Sequence, residues 1–331
     1  MFPLSDQQRL FLVESTQLYH AWREADAQSR QHKYGMRWLT SQGKAYLIRL
    51  SDAKGNGKSL GARNSETEAV YNAFMANKAR AKTRLDALSA RLANQSKLNK
   101  AVGLGRVPSV VADILKALAQ ARVEHDFRLI GTHALYAYES LAGVHCKMDL
   151  LASGDVDLLY DPRKKISIMA AQLDHKGLIG LLQTVDKSFE LQSAHAYRAV
   201  NDKGYMVDFI VPMQGMQQPS VQFAATDLQA VEIDSMQWLA NAPAIDVIVI
   251  ASNGAPVSAR VPDPRVYALH KAWLSQQAMR DPIKKPRDLG QAKLVFEMLT
   301  ELLPNYPLDK AHMRYMPKAV WTKAIQLLTL A

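Results

Sequence analysis

Two aspartates stand one residue apart in SGDVDLLYD, residues 153–161, where Asp155 and Asp157 open an otherwise apolar run. Asp is depleted in strands, yet Val156, Leu158, Leu159 and Tyr160 read as one. Side chains two apart on a strand share a face. Asp155 and Asp157 therefore project together, while Val156 and Leu158 turn to the other side. Held this close, the carboxylates repel one another. A divalent cation relieves that repulsion, and Mg²⁺ sites commonly combine one or two carboxylates with substrate phosphates. Asp208, in GYMVDFIVP, is a third acid, alone among apolar residues. An unpaired carboxylate is costly to bury there. Three acids on neighbouring strands suit in-line phosphoryl or nucleotidyl transfer assisted by Mg²⁺ or Mn²⁺. The alternative is that Asp155 and Asp157 are strand-end residues matched by Lys or Arg. The spacing of a bare DxD does not decide between the two.

A second candidate is the strand-to-helix junction RLIGTHALYAYE. Gly131 ends the strand and a helix starts at once, with Thr132 a good N-cap. Glycine lets backbone N–H groups approach a ligand, and a helix N-terminus favours phosphate. An ordinary tight turn with a capping Thr reads equally from these residues. Arg163, Lys164 and Lys165 follow the DxD strand directly. They supply cations for a phosphate, or a solvated turn.

The elements that must position these residues follow from periodicity. KAYLIRL (44–50) reads as a strand with a glycine-rich turn after it. SETE (65–68) is a capping box, Ser65 capping and Glu68 reaching back. Val70, Phe74, Ala81, Leu85, Leu88 and Leu92 then fall on one face of a long amphipathic helix, which Gly103, Gly105 and Pro108 end. The expected organisation is an N-terminal region over 1–105, a mixed core over 106–260 and a helical region over 261–331. Within the core, PSVVADILKALAQA is a helix, HDFRLIG a strand, THALYAYESLAG a helix and VDLLY a strand. Two hairpins follow, turning at NDKG and at ASNGA. The expected fold class is α+β, a mixed sheet flanked by helices.

The order helix, strand, Gly-Thr, helix, DxD strand, third-acid strand resembles the nucleotidyltransferase superfold. DNA polymerase β, the aminoglycoside nucleotidyltransferases and the toxin-type minimal nucleotidyltransferases share it. A closer likeness is to a bacterial nucleotidyltransferase family with YLIR…KSLG.R..ETE, LGRVP, GTHALYAYE…AGV, GDVDLLYDPRKK and VPDPRVYALHKAW. These stand here at 46–68, 104–108, 131–144, 154–165 and 261–273. The likeness covers most of residues 45–290. It departs from the superfold at Thr132, where a second small residue or Ser is usual. The resemblance implies that Asp155, Asp157 and Asp208 hold Mg²⁺ or Mn²⁺ and serve catalysis, with Asp208 activating the acceptor. It implies that Gly131 and Thr132 seat the phosphates of an NTP. Minimal nucleotidyltransferases often follow the core with a helical Lys and a K…DL pattern. Lys271 and KKPRDL (284–289) are similar, which makes Lys271 a phosphate contact.

Composition bounds the alternatives. The chain has 331 residues, 48% of them hydrophobic, so a packed core is feasible. One cysteine, Cys146, excludes a disulfide framework and points to a reduced cytoplasm. No signal peptide or membrane span is expected. The net charge of +10 favours anionic partners. Residues 78–106 carry Lys78, Arg80, Lys82, Arg84, Arg91, Lys97, Lys100 and Arg106 against Asp86 alone. Like charges four apart cost helix stability, which an RNA or DNA backbone would offset; a solvated face is the plain reading. KGNGKS imitates a P-loop, but Asp52 stands where its first glycine is needed. A nucleotidyltransferase fold that keeps only nucleic-acid binding, and a DxD glycosyltransferase, are the rival readings. The three acids argue against the first, and the short core against the second.

Overall fold

The computed structural model describes residues 1–161, 173, 176–193, 196–213, 221–224, 226–311 and 313–329. The chain forms two compact units, Val13–Leu98 and a second made of Met1–Leu12 with Asn99–Ala331. A short strand β1 (Phe2–Pro3) precedes α1 (Asp6–Arg30). Strands β2 (Met36–Ser41), β3 (Lys44–Leu50) and β4 (Gly57–Ala62) form an antiparallel meander with an irregularity at Leu47/Ile48, and α2 (Ser65–Ala101) follows. At 37 residues α2 is about 55 Å long.

Within the Val13–Leu98 unit α1 and α2 lie antiparallel. Trp22 Nε1 donates to Ser89 Oγ at 3.0 Å and Arg84 Nη1 to Gln28 Oε1 at 2.9 Å. Leu18, Tyr19 and Ala81 are buried there, and Phe74, Leu85, Leu88 and Leu92 half-buried, whereas Val70 is exposed. One sheet face turns to α2: Leu47 is fully buried, Trp38 stacks 5.8 Å from Tyr71, and the Arg49 guanidinium sits 4.2 Å from the Phe74 centroid.

The cap of α2 differs from the expected Ser65/Glu68 box. Thr67 N donates to Asn64 Oδ1 at 2.8 Å and Asn64 N to Thr67 Oγ1 at 2.9 Å, so the reciprocal box lies one residue earlier. Glu68 instead takes the Nε–H of Arg63 at 2.8 Å. The like-charge pairs along α2 are partly compensated as well. Lys82 pairs with Asp86 at 2.6 Å, and Arg84 reaches Glu24 at 3.5 Å.

The larger unit continues with α3 (Ser109–Ala121), β5 (Phe127–Ile130), a 3-10 turn (Gly131–Ala134), α4 (Leu135–Ala142), β6 (Val144–His145), α5 (Met148–Leu151) and β7 (Asp155–Tyr160). Then come α6 (Gly177–Val185), β8 (Glu190–Leu191), β9 (Arg198–Val200), β10 (Met206–Pro212), β11 (Val231–Ile233) and α7 (Met236–Asn241). The hairpin β12 (Ala244–Ile250) and β13 (Pro256–Pro262) leads to α8 (Pro264–Ser275), α9 (Lys284–Glu301) and α10 (Lys318–Thr329). The principal sheet runs β5-β7-β10-β9-β8. β7 and β10 are parallel, and β5 is antiparallel to β7. One edge of β10 is shared, by β9 antiparallel along Met206–Asp208 and by β11 parallel from Ile210 onward.

The two sheet faces bury different cores. Val156, Leu158 and Tyr160 join Val207 and Phe209 in a large cluster with α3 and the β12–β13 hairpin, where Phe127, Tyr160, Phe209 and Phe223 pack ring against ring. On the opposite face Ile130, Leu159 and Ile210 pack against apolar residues of α7, α8, α9 and α10. Asp155, Asp157 and Asp208 belong to this second face, at the end of the strands where its apolar packing stops. No helix among the described residues is long and apolar enough to cross a membrane.

Candidate active site

The register of the central strands brings the acids together. Asp157 on β7 pairs directly with Asp208 on β10, and Asp208 with Arg198 on β9, so acid, acid and arginine form one row across three strands. Arg198 grips Asp208 through two parallel bonds, Nε to Oδ1 at 2.6 Å and Nη2 to Oδ2 at 2.7 Å. This fork geometry is the strong form of an arginine–carboxylate contact. Asp155 accepts the Ser153 hydroxyl.

Gly131 closes the site from the β5 end. Its φ of +63° lies in the left-handed region, and a Cβ there would overlap Asp157 Oδ2. Only glycine fits, because the turn presses against the acid strand. The Gly131 carbonyl accepts the Tyr267 hydroxyl at 2.9 Å. Thr132 is not a side-chain cap for the turn or for α4. Its hydroxyl instead accepts from Arg287 Nη2 at 2.6 Å and Gln291 Nε2 at 3.2 Å, both on α9. Having drawn the hydroxyl to α9, the fold leaves the helix start without it. His133 is fully buried, its ring nitrogens lack a well-formed hydrogen bond among the described residues beyond a weak approach to the Asp155 backbone, and Gln291 Oε1 is unpaired. Such orphan atoms are rare in native interiors. These three adjoin the same turn.

Helices α8 and α9 bring the cations. Lys271 is buried, not the solvated helix lysine that its sequence context allows. Its ammonium donates to Asp288 Oδ1 at 2.7 Å, and Arg280 takes Asp288 Oδ2 at 2.7 Å. The Lys271 charge reaches Asp157, as does that of Lys284, exposed at the start of α9. The first turn of α9 carries Lys284, Lys285 and Arg287 and no acid. That arrangement opposes the helix dipole and so favours an anion in front of it.

The fields at the two aspartates of β7 differ. Burial, then repulsion from Asp155 and Asp208, pushes Asp157 up to about 7, against the pull of Lys271 and Lys284. Burial also raises Asp155, but the Ser153 hydroxyl, its own backbone N–H and Lys284 outweigh it and hold Asp155 below its ordinary value. Burial draws His133 down to about 4, opposed by Asp155. Burial lowers the Lys271 ammonium against the pull of Asp288. The site thus holds one ionised carboxylate beside another whose charge is strongly disfavoured.

Of the residues singled out in the sequence, Gly131, Thr132, Asp155, Asp157, Asp208 and Lys271 come together here. Arg163, with Lys164 and Lys165, lies outside the described residues. Arg198 and Gln291 were not read from the sequence, and His133, Arg287 and Asp288 stood there only inside motifs, without a role of their own. Among the described residues no group of three His, Cys, Asp or Glu forms a closed metal cage. The donor set fits a divalent cation in the open manner of Mg²⁺, which takes one or two carboxylates and completes its shell from water and substrate phosphate. Asp155 and Asp157 provide that pair, and the cost of charging Asp157 beside Asp155 is what such a cation would remove. Cys146 is buried and its thiol is pushed up by burial, so it is no nucleophile here.

A family model described as "Nucleotidyltransferase" matches residues 109–317, which takes in every site residue above. The chain belongs to this nucleotidyltransferase family. No curated protein matches it.

Proposed function

We propose that this chain is a metal-dependent nucleotidyltransferase that moves an NMP from an NTP to an acceptor hydroxyl and releases pyrophosphate. The observation that carries the reading is the Asp157–Asp208 register beside Asp155, in which three carboxylates share a sheet face and burial, with repulsion from the other two, pushes Asp157 up to about 7. Carboxylates gathered at this cost are expected where a cation and a phosphoryl group are handled. Asp155 and Asp157 would hold Mg²⁺ or Mn²⁺. Bound there, the cation supplies charge neutralisation for the α-phosphate as the bond to pyrophosphate breaks.

The chain's own residues do the rest. The left-handed Gly131 turn brings backbone against Asp157 and leaves no side chain to obstruct the phosphate. Lys284 and Arg287 at the start of α9 attract the triphosphate; Lys271, engaged by Asp288, acts through its field on Asp157. Arg198 fixes the orientation of Asp208. In this reading Asp208 takes the proton of the acceptor hydroxyl as its oxygen forms the new bond to phosphorus.

The test is incubation of the protein with each α-labelled NTP, Mg²⁺ or Mn²⁺, and total RNA or total protein. Transfer of label that needs the metal and is lost in Asp155→Asn and Asp157→Asn supports the reading. Transfer by both variants at the wild-type rate, or none by wild type with any NTP, overturns it.

A further inference from the structure

The charge of this chain is not spread evenly. The Val13–Leu98 unit holds 15 Lys and Arg against 7 Asp and Glu, a net of +8 out of the chain's +10. Charge concentrated in one small unit is the electrostatic footprint of a polyanion partner. The helical stripe that stands out in the sequence is not where the excess is freest, since Lys82 is held by Asp86 and Arg84 by Gln28 and Glu24.

The meander is different. Its pairing puts Arg37 opposite Ile48 and Leu39 opposite Tyr46, with Lys44 at the end of the same row. Directly paired residues share a face, and this is the face turned away from Phe74 and Tyr71. Arg37, Leu39 and Lys44 are exposed there, and Tyr46 and Ile48 partly so. Among the described residues neither Arg37 nor Lys44 has a carboxylate partner. Arg37 instead donates to the Gly55 carbonyl at 3.3 Å, over the turn that carries Lys54. Lys44 and the Ile48 position that pairs with Arg37 are about 13 Å apart along the strand. An aromatic ring with aliphatic neighbours therefore sits, on an exposed sheet face, between two cations that have no carboxylate partner among the described residues.

We infer that this face of β2 and β3 docks RNA through an unpaired stretch, one base lying on Tyr46 and the flanking phosphates meeting Arg37 and Lys44. Cations alone would suit any polyanion. The ring between them selects a strand with accessible bases, and unpaired, splayed bases are what proteins read in RNA loops and ends. A duplex hides its base faces, and an anionic membrane has none.

The experiment uses the full chain without NTP. A fluorescent single-stranded RNA of mixed sequence is titrated across a salt series, beside a blunt duplex DNA, heparin and phosphatidylserine vesicles. Wild type is expected to prefer the single-stranded RNA. Tyr46→Ala should weaken it about tenfold, and Tyr46→Phe, which keeps the ring, should restore it. Arg37→Gln with Lys44→Gln should lower the salt slope by about 0.7 per cation removed. Lys82→Gln, whose ammonium already has a partner, should stay within about twofold of wild type. Equal binding to RNA by wild type and the Arg37→Gln/Lys44→Gln variant overturns the inference. So does duplex DNA, heparin or vesicle binding as tight as RNA binding, or no RNA binding at low salt. Circular dichroism checks the fold of Tyr46→Ala; should it unfold, the doubly substituted variant, altered only at exposed charges, decides alone. Asp157→Asn should bind RNA like wild type, so this inference stands or falls separately from nucleotidyl transfer.

Discussion

Replacing Asp157 by Asn should make the metal-free protein more stable, and by an amount that grows with pH. A carboxyl raised from 3.8 to about 7 is held in its protonated form by the fold. The folded state then binds the proton more tightly than the unfolded state, so stability falls as pH rises between those two values and is fully reduced above about 7. A shift of that size corresponds to about 4 kcal/mol. This is an upper figure, because Asp157 keeps some contact with solvent. Asn has nearly the same shape and no charge to bury. Near pH 5 the folded carboxyl is protonated while the unfolded one is already largely ionised, so less than half of the difference should show. Near pH 8 the variant should melt several degrees higher, since each kcal/mol moves the melting temperature by about 2–4 °C in chains of comparable size. The assay is thermal unfolding in EDTA at both pH values, repeated with excess Mg²⁺. The cation should raise wild type toward or above the variant, because it binds the ionised pair. A pH-independent difference, or a variant less stable near pH 8, would refute the claim that burial and neighbouring like charge disfavour the ionised Asp157.

Gly131→Ala places a Cβ on Asp157 Oδ2 and holds alanine at a φ of +63°; we expect a loss of about 1–3 kcal/mol in denaturant unfolding together with loss of nucleotidyl transfer. Breaking the buried pair by Asp288→Ala leaves the Lys271 ammonium unmatched and should cost about 3–5 kcal/mol, whereas Lys271→Met leaves Asp288 still bound to Arg280 and should cost less by the same assay. Asn64→Ala should destabilise the Val13–Leu98 unit by about 1 kcal/mol, with Ser65→Ala near neutral; the reverse order in urea melts would restore the Ser65/Glu68 box.

The parts of this fold legible in sequence are those set by local pattern. Alternation fixed the two faces of β7, with Val156 and Leu158 inward and the two acids on the other side. The NDKG turn marked the β9–β10 hairpin. Counting outward from it would have set Arg198 opposite Asp208, so that partner was within reach. The α2 cap shows a limit of another kind. Asn64–Thr67 and Ser65–Glu68 are overlapping signals of nearly equal quality, and Arg63 decides between them by engaging Glu68. Helix α1, strands β2 and β4, and helix α6 carry weaker periodicity and emerged only in three dimensions.

The cationic half of the site could not be read in the same way, for a physical reason. Asp288, Arg287 and Gln291 lie on α9, about 130 residues beyond Asp155 and Asp157 and about 80 beyond Asp208, and their roles depend on how α8 and α9 pack over the sheet. On a helical wheel Lys271 and Asp288 are unremarkable polar residues of separate helices. Packed, they form a pair whose burial neither charge would tolerate alone. The same packing enlists the Thr132 hydroxyl and leaves His133 and Gln291 with polar atoms unpaired at the turn. Unpaired polar atoms gathered beside a crowded carboxylate are not an arrangement for stability alone. Each such atom costs free energy in the isolated protein, and a phosphate-bearing substrate with its cation brings the groups that would offset it. In the function proposed above, the acids supply the chemistry, and the unsatisfied atoms around them mark where the substrate would bind.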